Sequence, residues 1–137
     1  MSLFVIDTSV TLAWYLEEEF SPAARQWQDR LLSGAARLLV PSLHYWEFAN
    51  ALRTLAARKA IEEGTAQEVL DLHLDAPLEV AEPDRREVFR LALEYGATAY
   101  DAVFICLALA NDVHLVTAER STTRWVTKLG DRVQQVR

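Results

Sequence analysis

A chain of 137 residues is long enough for one domain with a core of its own, and an apolar fraction of 51% argues against disorder. The net charge of −6, from 14 basic and 20 acidic residues, excludes a passive binder that holds nucleic acid through a broadly basic surface. The single cysteine, Cys106, excludes an internal disulfide and a cysteine-built zinc site.

Along the chain, short β-type runs alternate with longer helical patterns. "LFVID" (3–7) reads as a buried strand, and Asp7, Thr8 and Ser9 are placed to cap a helix over "TSVTLAWYLEEE". "SPAARQWQDRLLSG" (21–34) carries a Ser cap, a Pro at the start and a Gly at the end, the signature of a complete helix. "RLLVP" (37–41) is a second strand, after which Ser42 opens a long helix to about Lys59 and another helix covers about 65–74. "PLEVA" (77–81) is a third strand and "DRREVFRLALEYG" (84–96) a helix closed by Gly96. The segment from about 99 to 111 is apolar on all sides after Asp101, which marks a buried helix. "VHLVT" (113–117) is a fourth strand, a last helix spans roughly 120–129, and "RVQQV" (132–136) fits an edge strand. The alternation predicts an α/β fold whose central parallel sheet, of four to five strands, is covered by helices on both faces. In such sheets ligands bind beyond the carboxyl ends of the strands, where the winding direction changes.

The lone thiol fits a reduced, cytoplasmic setting. "MSLFVIDTS" lacks the charged and long apolar regions of a signal peptide, and no run reaches the roughly 18 apolar residues of a membrane span, so no membrane partner is expected.

Four carboxylates fall where that rule directs attention. Asp7 ends the first strand, Glu119 follows the fourth, Asp101 starts the buried helix, and Glu47 borders the apolar stripe of the "PSLHYWEFANALRTLAAR" helix. Each has a purely structural account: Asp7 as an N-cap, Asp101 in a capping-box arrangement with Thr98, Glu119 at a helix N-terminus, Glu47 in a surface ion pair. Their convergence is what those accounts leave unexplained. Two unit charges about 5 Å apart repel by roughly 3 kcal/mol at an effective dielectric of 20, whereas a cap contributes about 1 kcal/mol. Protons or a divalent cation make such a cluster tolerable, and oxygen ligands without His or Cys favour Mg²⁺ or Mn²⁺.

"VIDTSV", "WEFANAL", "AYDAVFICLALA" and "LVTAE" together resemble the PIN-domain ribonucleases, especially the VapC-type toxins of toxin–antitoxin pairs. The resemblance covers nearly the whole chain, in order, and implies a single PIN domain over 1–137 with a three-layer α/β/α fold. It implies Mg²⁺- or Mn²⁺-dependent endonucleolytic cleavage of RNA, with Asp7, Glu47, Asp101 and Glu119 as catalytic metal ligands. By the same resemblance Ser9 supports Asp7 or a bound water, and Thr117 holds the last acidic group in place. The family usually has Asp where this chain has Glu119, which is one methylene longer. A small cognate antitoxin that inserts near the carboxylates and a homodimer are implied as well.

For an acidic protein, RNA contact needs a local basic rim. Arg53, Arg58 and Lys59 follow Glu47, while Arg120, Arg124 and Lys128 follow Glu119; ordinary solvated helix faces account for them equally well. His44, His73 and His114 have no mutual spacing that suggests a site and read as solvated or structural. Trp14, Trp27, Trp46 and Trp125 read as core or interface residues. A competing reading is a non-catalytic PIN-like module that binds RNA or protein, with Glu119 as its main support. A phosphotransfer site with Asp7 as acceptor fits poorly, because a dehalogenase-type motif needs a second Asp where Ser9 stands.

Overall fold

A computed structural model describes residues 2–137. Five strands, β1 (Ser2–Ile6), β2 (Ala36–Val40), β3 (Glu79–Val80), β4 (Leu115–Thr117) and β5 (Val133–Gln135), form one sheet in the order β3-β2-β1-β4-β5. Every neighbouring pair is parallel. The chain therefore winds outward from β1 to β3, crosses back over β1 to β4, and winds outward again to β5. The winding reverses between β1 and β4, so the crevice for a ligand opens beyond Ile6 and Thr117.

Strand residues divide by parity, as a pleated sheet requires. Ile6, Leu38, Val40 and Val116 face α1 (Thr8–Leu12) and α2 (Ser21–Leu32) in one apolar cluster with Val10, Trp14 and Trp27. Val5, Leu39 and Leu115 face the other side, against Phe104, Ile105 and Leu107 of α6 (Ala99–Ala110) and Trp125 of α7 (Arg124–Leu129). The result is three layers, α/β/α, with a core on each sheet face. Helix α6 is buried because both its sides are covered. Ala102 and Cys106 turn to Val88 and Leu91 of α5 (Arg85–Tyr95), opposite the side that meets the sheet. Helices α3 (Leu43–Ala57) and α4 (Glu63–Leu74) close on each other through Phe48, Leu52 and Val69 and pack against Leu12 and Tyr15. No single helix among the described residues is long and apolar enough to cross a membrane, and α5 and α6, apolar as a pair, meet at 108°.

Helix α5 follows the sequence signals closely. Asp84 accepts from the N–H groups of Arg86 and Glu87 at one end, and Gly96 takes the left-handed conformation at the other (φ 62°). A Cβ at Gly96 would also stand 2.8 Å from Nη1 of Arg124, whose side chain crosses it. Gly96→Ala is expected to cost about 1–2 kcal/mol from the left-handed backbone alone, because the Arg124 end can swing aside. Chemical denaturation checks this, and an unchanged midpoint would contradict it.

Three local expectations are corrected. The helix expected over "TSVTLAWYLEEE" ends at Leu12. The carbonyls beyond it are taken by the next helix: Arg25 donates to Trp14 O and Ser21 Oγ to Leu16 O. Ser21 is accordingly the first residue of α2 and not its cap. Ser42 does open α3 as expected, at its N-cap position, although without a side-chain cap bond; its N–H donates to Glu82 Oε1 at 2.8 Å. The last helix begins at Arg124, not near 120, because Thr127 Oγ1 donates to the Ser121 and Thr123 carbonyls and holds 121–123 as a turn.

Candidate active site

The site grows from the end of β1. Asp7 occupies the N-cap position of α1, yet its side chain makes no capping hydrogen bond. Its carboxylate accepts instead from Oγ1 of Thr117, the fully buried last residue of β4, at 2.9 Å. One parallel pairing, Ile6 with Val116, brings these residues together across 110 positions of sequence. Thr117 Oγ1 also accepts from the N–H of Glu119 at 3.1 Å, so this hydroxyl fixes both the Asp7 carboxylate and the turn after β4.

Burial pushes the Asp7 carboxyl up from the ordinary range to about 7, with Asp101 and Glu47 adding to the rise. The Thr117 hydroxyl and the Thr8 N–H act in the opposite sense. Glu47, on the first turns of α3, is also raised by burial and by Asp101, against a 2.9 Å hydrogen bond donated by Thr8 Oγ1. Asp101, on the first turn of α6, is raised by burial and then by Glu119; Thr98 and Trp125 hold it back. Thr98 caps α6 by accepting from the Asp101 N–H at 3.0 Å, half of the expected capping box. Asp7, Glu47 and Asp101 thus lie within electrostatic reach of one another on the carboxyl side of the sheet, and Glu119 lies within reach of Asp101.

Their donor chemistry suits a hard cation. Among the described residues, however, no three His, Cys, Asp or Glu side chains stand close enough to enclose an ion. Glu119 is exposed, and its side chain accepts from Thr123 Oγ1 at 3.2 Å, turned toward the start of α7. Ser9 Oγ accepts from the Ala118 N–H at 3.3 Å, tying α1 to the turn after β4 and not to Asp7.

The Thr117 contact gives a direct check. Thr117→Val removes the only O–H that donates to Asp7 among the described residues while keeping the shape of the side chain. The Asp7 carboxyl is expected to titrate higher still in carbon-13 spectra of the variant, and an unmoved or lowered value would contradict this geometry.

The candidate basic rim is uneven. Arg53 lies six residues beyond Glu47 on α3, roughly 9 Å along the axis, while Arg58 and Lys59 lie past its end, roughly 16 Å or more away. Arg120 is exposed beside Glu119, and Arg124 crosses Gly96. None of these five cations joins an ion pair among the described residues. Trp14, Trp27 and Trp125 are buried, whereas Trp46 is 74% exposed next to Glu47. His44 and His73 are fully buried, 2.8 Å apart through their Nε2 atoms. The pairing joins residues 29 apart, which no spacing rule would have linked; Thr8 and Tyr15 complete it and were likewise missed.

The fold matches a known pattern. The model of the PIN domain family matches residues 4–124. The chain belongs to the PIN-domain family. Ribonuclease VapC3 of Pyrobaculum aerophilum is 32% identical to this PIN domain over 124 residues, which cover 85% of this chain and 88% of that protein. In structure, the PIN domain is similar to PAE2754 of the same organism, with a TM-score of 0.73 and 23% identity over 98% of this chain and 90% of that one. It is also similar in fold to a chain of VapBC2 from Rickettsia felis, solved on a promoter DNA fragment, with a TM-score of 0.66, 15% identity and coverage of 97% and 98%. A chain of a Klebsiella pneumoniae toxin–antitoxin complex superposes with a TM-score of 0.62 at 15% identity, over 100% of this chain and 98% of that one.

Proposed function

We propose that this single PIN domain, residues 1–137, is a metal-dependent endoribonuclease and the toxin of a type II toxin–antitoxin pair, working in the cytoplasm. The observation that carries the reading is Asp7. It stands where a helix cap belongs, caps nothing, and carries a carboxyl raised to about 7 by burial and two further carboxylates. A fold that only needed a cap gains nothing from that arrangement, whereas a cation drawn to the site offsets its cost. The name of the Pyrobaculum relative supports the activity, and the toxin–antitoxin complexes among the structural neighbours support the partner.

In this reading Asp7, Glu47 and Asp101 would hold Mg²⁺ or Mn²⁺ by closing from their present separation, with Glu119 on the outer side, acting directly or through water. These residues would give the ion its place beside the scissile phosphate, where it would supply charge neutralisation and a more acidic water. Thr117 fixes Asp7 and Thr8 fixes Glu47, so two ligands meet the ion already oriented. Arg53, Arg120 and Arg124 form the nearer part of the basic rim that receives the RNA backbone, with Arg58 and Lys59 farther out. An apolar groove of about 390 Å³ runs from Ser9 between α1 and α3, lined by Leu12, Leu16, Phe20 and Leu55. It is the surface on which an apolar antitoxin segment would lie beside the carboxylates. A homodimer is part of the same proposal, with exposed Phe89 and Leu93 of α5 available for a second copy.

The toxin assignment is tested by induced expression in a bacterial host. Growth arrest by the wild type, absent with folded Asp7→Asn, is the expected result. Normal growth of cells that accumulate folded wild type without an antitoxin would contradict it.

A further inference from the structure

A continuous line of hydrogen bonds runs through the protein from Tyr15 to Glu47. Tyr15 Oη lies 2.9 Å from His73 Nδ1, His73 Nε2 lies 2.8 Å from His44 Nε2, His44 Nδ1 lies 3.0 Å from Thr8 Oγ1, and Thr8 Oγ1 lies 2.9 Å from Glu47 Oε1. Its middle is shut away from water: His44 and His73 are fully buried and Thr8 is 5% exposed. The rings are fixed by packing. His73 stacks on Phe48 with centroids 4.0 Å apart and planes 14° apart, and Trp14 and Tyr15 meet it edge-on.

The proton positions follow from counting donors. A carboxylate only accepts, so the single Thr8 hydroxyl proton points at Glu47. Thr8 can then only accept from His44, so His44 carries its proton on Nδ1. Burial lowers His44 to about 3, with His73 adding to the effect, and lowers His73 to about 4, so both rings are neutral at physiological pH. His44 Nε2 is therefore an acceptor, His73 must donate from Nε2, and His73 Nδ1 accepts from the Tyr15 hydroxyl. Burial raises Tyr15 to about 12, which keeps that hydroxyl protonated. All four protons point the same way, and each bond polarises the next.

We infer that Tyr15, His73, His44 and Thr8 form a one-way hydrogen-bond chain that positions Glu47, holding Oε1 by the Thr8 hydroxyl and leaving Oε2 free to face a cation. The inference rests on the reading of Glu47 as a metal ligand. His73 and His44 are positioning residues that act through Thr8. They touch neither metal nor RNA. The chain also links α1, α3 and α4, so the helix carrying Glu47 is registered against the loop carrying Asp7 by polar contacts as well as by Phe48.

The first test is a long-range nitrogen-15 correlation spectrum of the histidine-labelled wild type at pH 8, which reads each ring tautomer directly. His44 is expected to be protonated on Nδ1 only and His73 on Nε2 only. A His44 proton on Nε2, or a doubly protonated ring, overturns the chain. The second test is Mn²⁺ affinity by calorimetry, with single-turnover RNA cleavage alongside, for His73→Leu and His73→Gln. Leu removes both bonds, whereas the Gln amide can donate to His44 and accept from Tyr15. In folded His73→Leu the Mn²⁺ dissociation constant is expected to rise about tenfold and the cleavage rate to fall similarly at unchanged RNA affinity, with His73→Gln within about twofold of wild type. Folded His73→Leu with wild-type Mn²⁺ affinity would reduce the chain to core packing and overturn the inference. Wild type that binds no Mn²⁺ would overturn the metal reading beneath it, an outcome the tautomers alone cannot produce. Should His73→Leu not fold, the tautomer assignment still decides.

Discussion

Asp7→Asn is expected to abolish RNA cleavage and at the same time make the metal-free protein more stable. Loss of a ligand worth several kcal/mol of charge stabilisation lowers the rate by about a thousandfold or more. The stability change has the opposite sign from that of an ordinary active-site lesion. Because the folded carboxyl titrates near 7 and the unfolded one near 3.8, the folded state keeps a proton that the unfolded state has already released. Stability therefore falls as pH rises from about 4 to about 7, and the deficit stays full above that; it amounts to about 2–4 kcal/mol. Asn still accepts from Thr117 but has no charge to bury. Thermal melts in chelator should show the variant level with wild type near pH 4 and above it from pH 7. Saturating Mn²⁺ should raise the wild-type midpoint and leave the variant in place. A variant less stable than wild type at every pH would return Asp7 to the role of a cap.

The second large effect is expected at the residue after Glu47. Phe48 is fully buried, stacks on His73 and fills the space between α3, α4 and Tyr15. Phe48→Ala should cost about 3–5 kcal/mol and lower the melting temperature by roughly 10 °C or more. Trp46→Ala, two residues earlier on the solvent side, should stay within about 0.5 kcal/mol. Paired denaturation curves check this contrast, and equal losses at both positions would contradict the assignment of helix faces. Phe48 also bears on chemistry, since the helix it anchors carries Glu47 and the ring it supports belongs to the histidine pair.

These outcomes bear on what the amino-acid order makes visible. Strands at 3–7, 37–41 and 113–117 were legible because fully buried parallel strands read as short apolar runs. The buried helix after Asp101 was legible because both its sides are covered. Asp7 and Thr117 could be placed at strand ends, so their meeting followed once the winding reversed between β1 and β4. What the sequence hid is tertiary. α1 stops at Leu12 because Arg25 and Ser21 take the next carbonyls, and neither partner is marked by local propensity. Ser42 opens α3 as its place before the apolar stripe implied, but the bond from its N–H to Glu82, 40 residues away, has no local signal. His44 and His73 looked unrelated because only the packing of α4 on α3 brings them together. His44 did carry one signal, since it precedes Glu47 by three residues on a helix and so shares its face. The carboxylates stood out as candidates through their chemistry, but their present separation, and the turn of Glu119 toward Thr123, belong to the folded backbone and have no counterpart in spacing.

The proposal that these carboxylates cut RNA with a divalent cation is open to direct test. Its most direct measurement is the cleavage of a mixed panel of structured and single-stranded RNAs by purified wild type in Mg²⁺, in Mn²⁺ and in EDTA, beside folded Asp7→Asn and Asp101→Asn. Discrete fragments are expected in either metal, none in EDTA, and none from the variants. Intact RNA at high protein concentration in both metals, or cutting that survives EDTA or either substitution, would contradict the proposal.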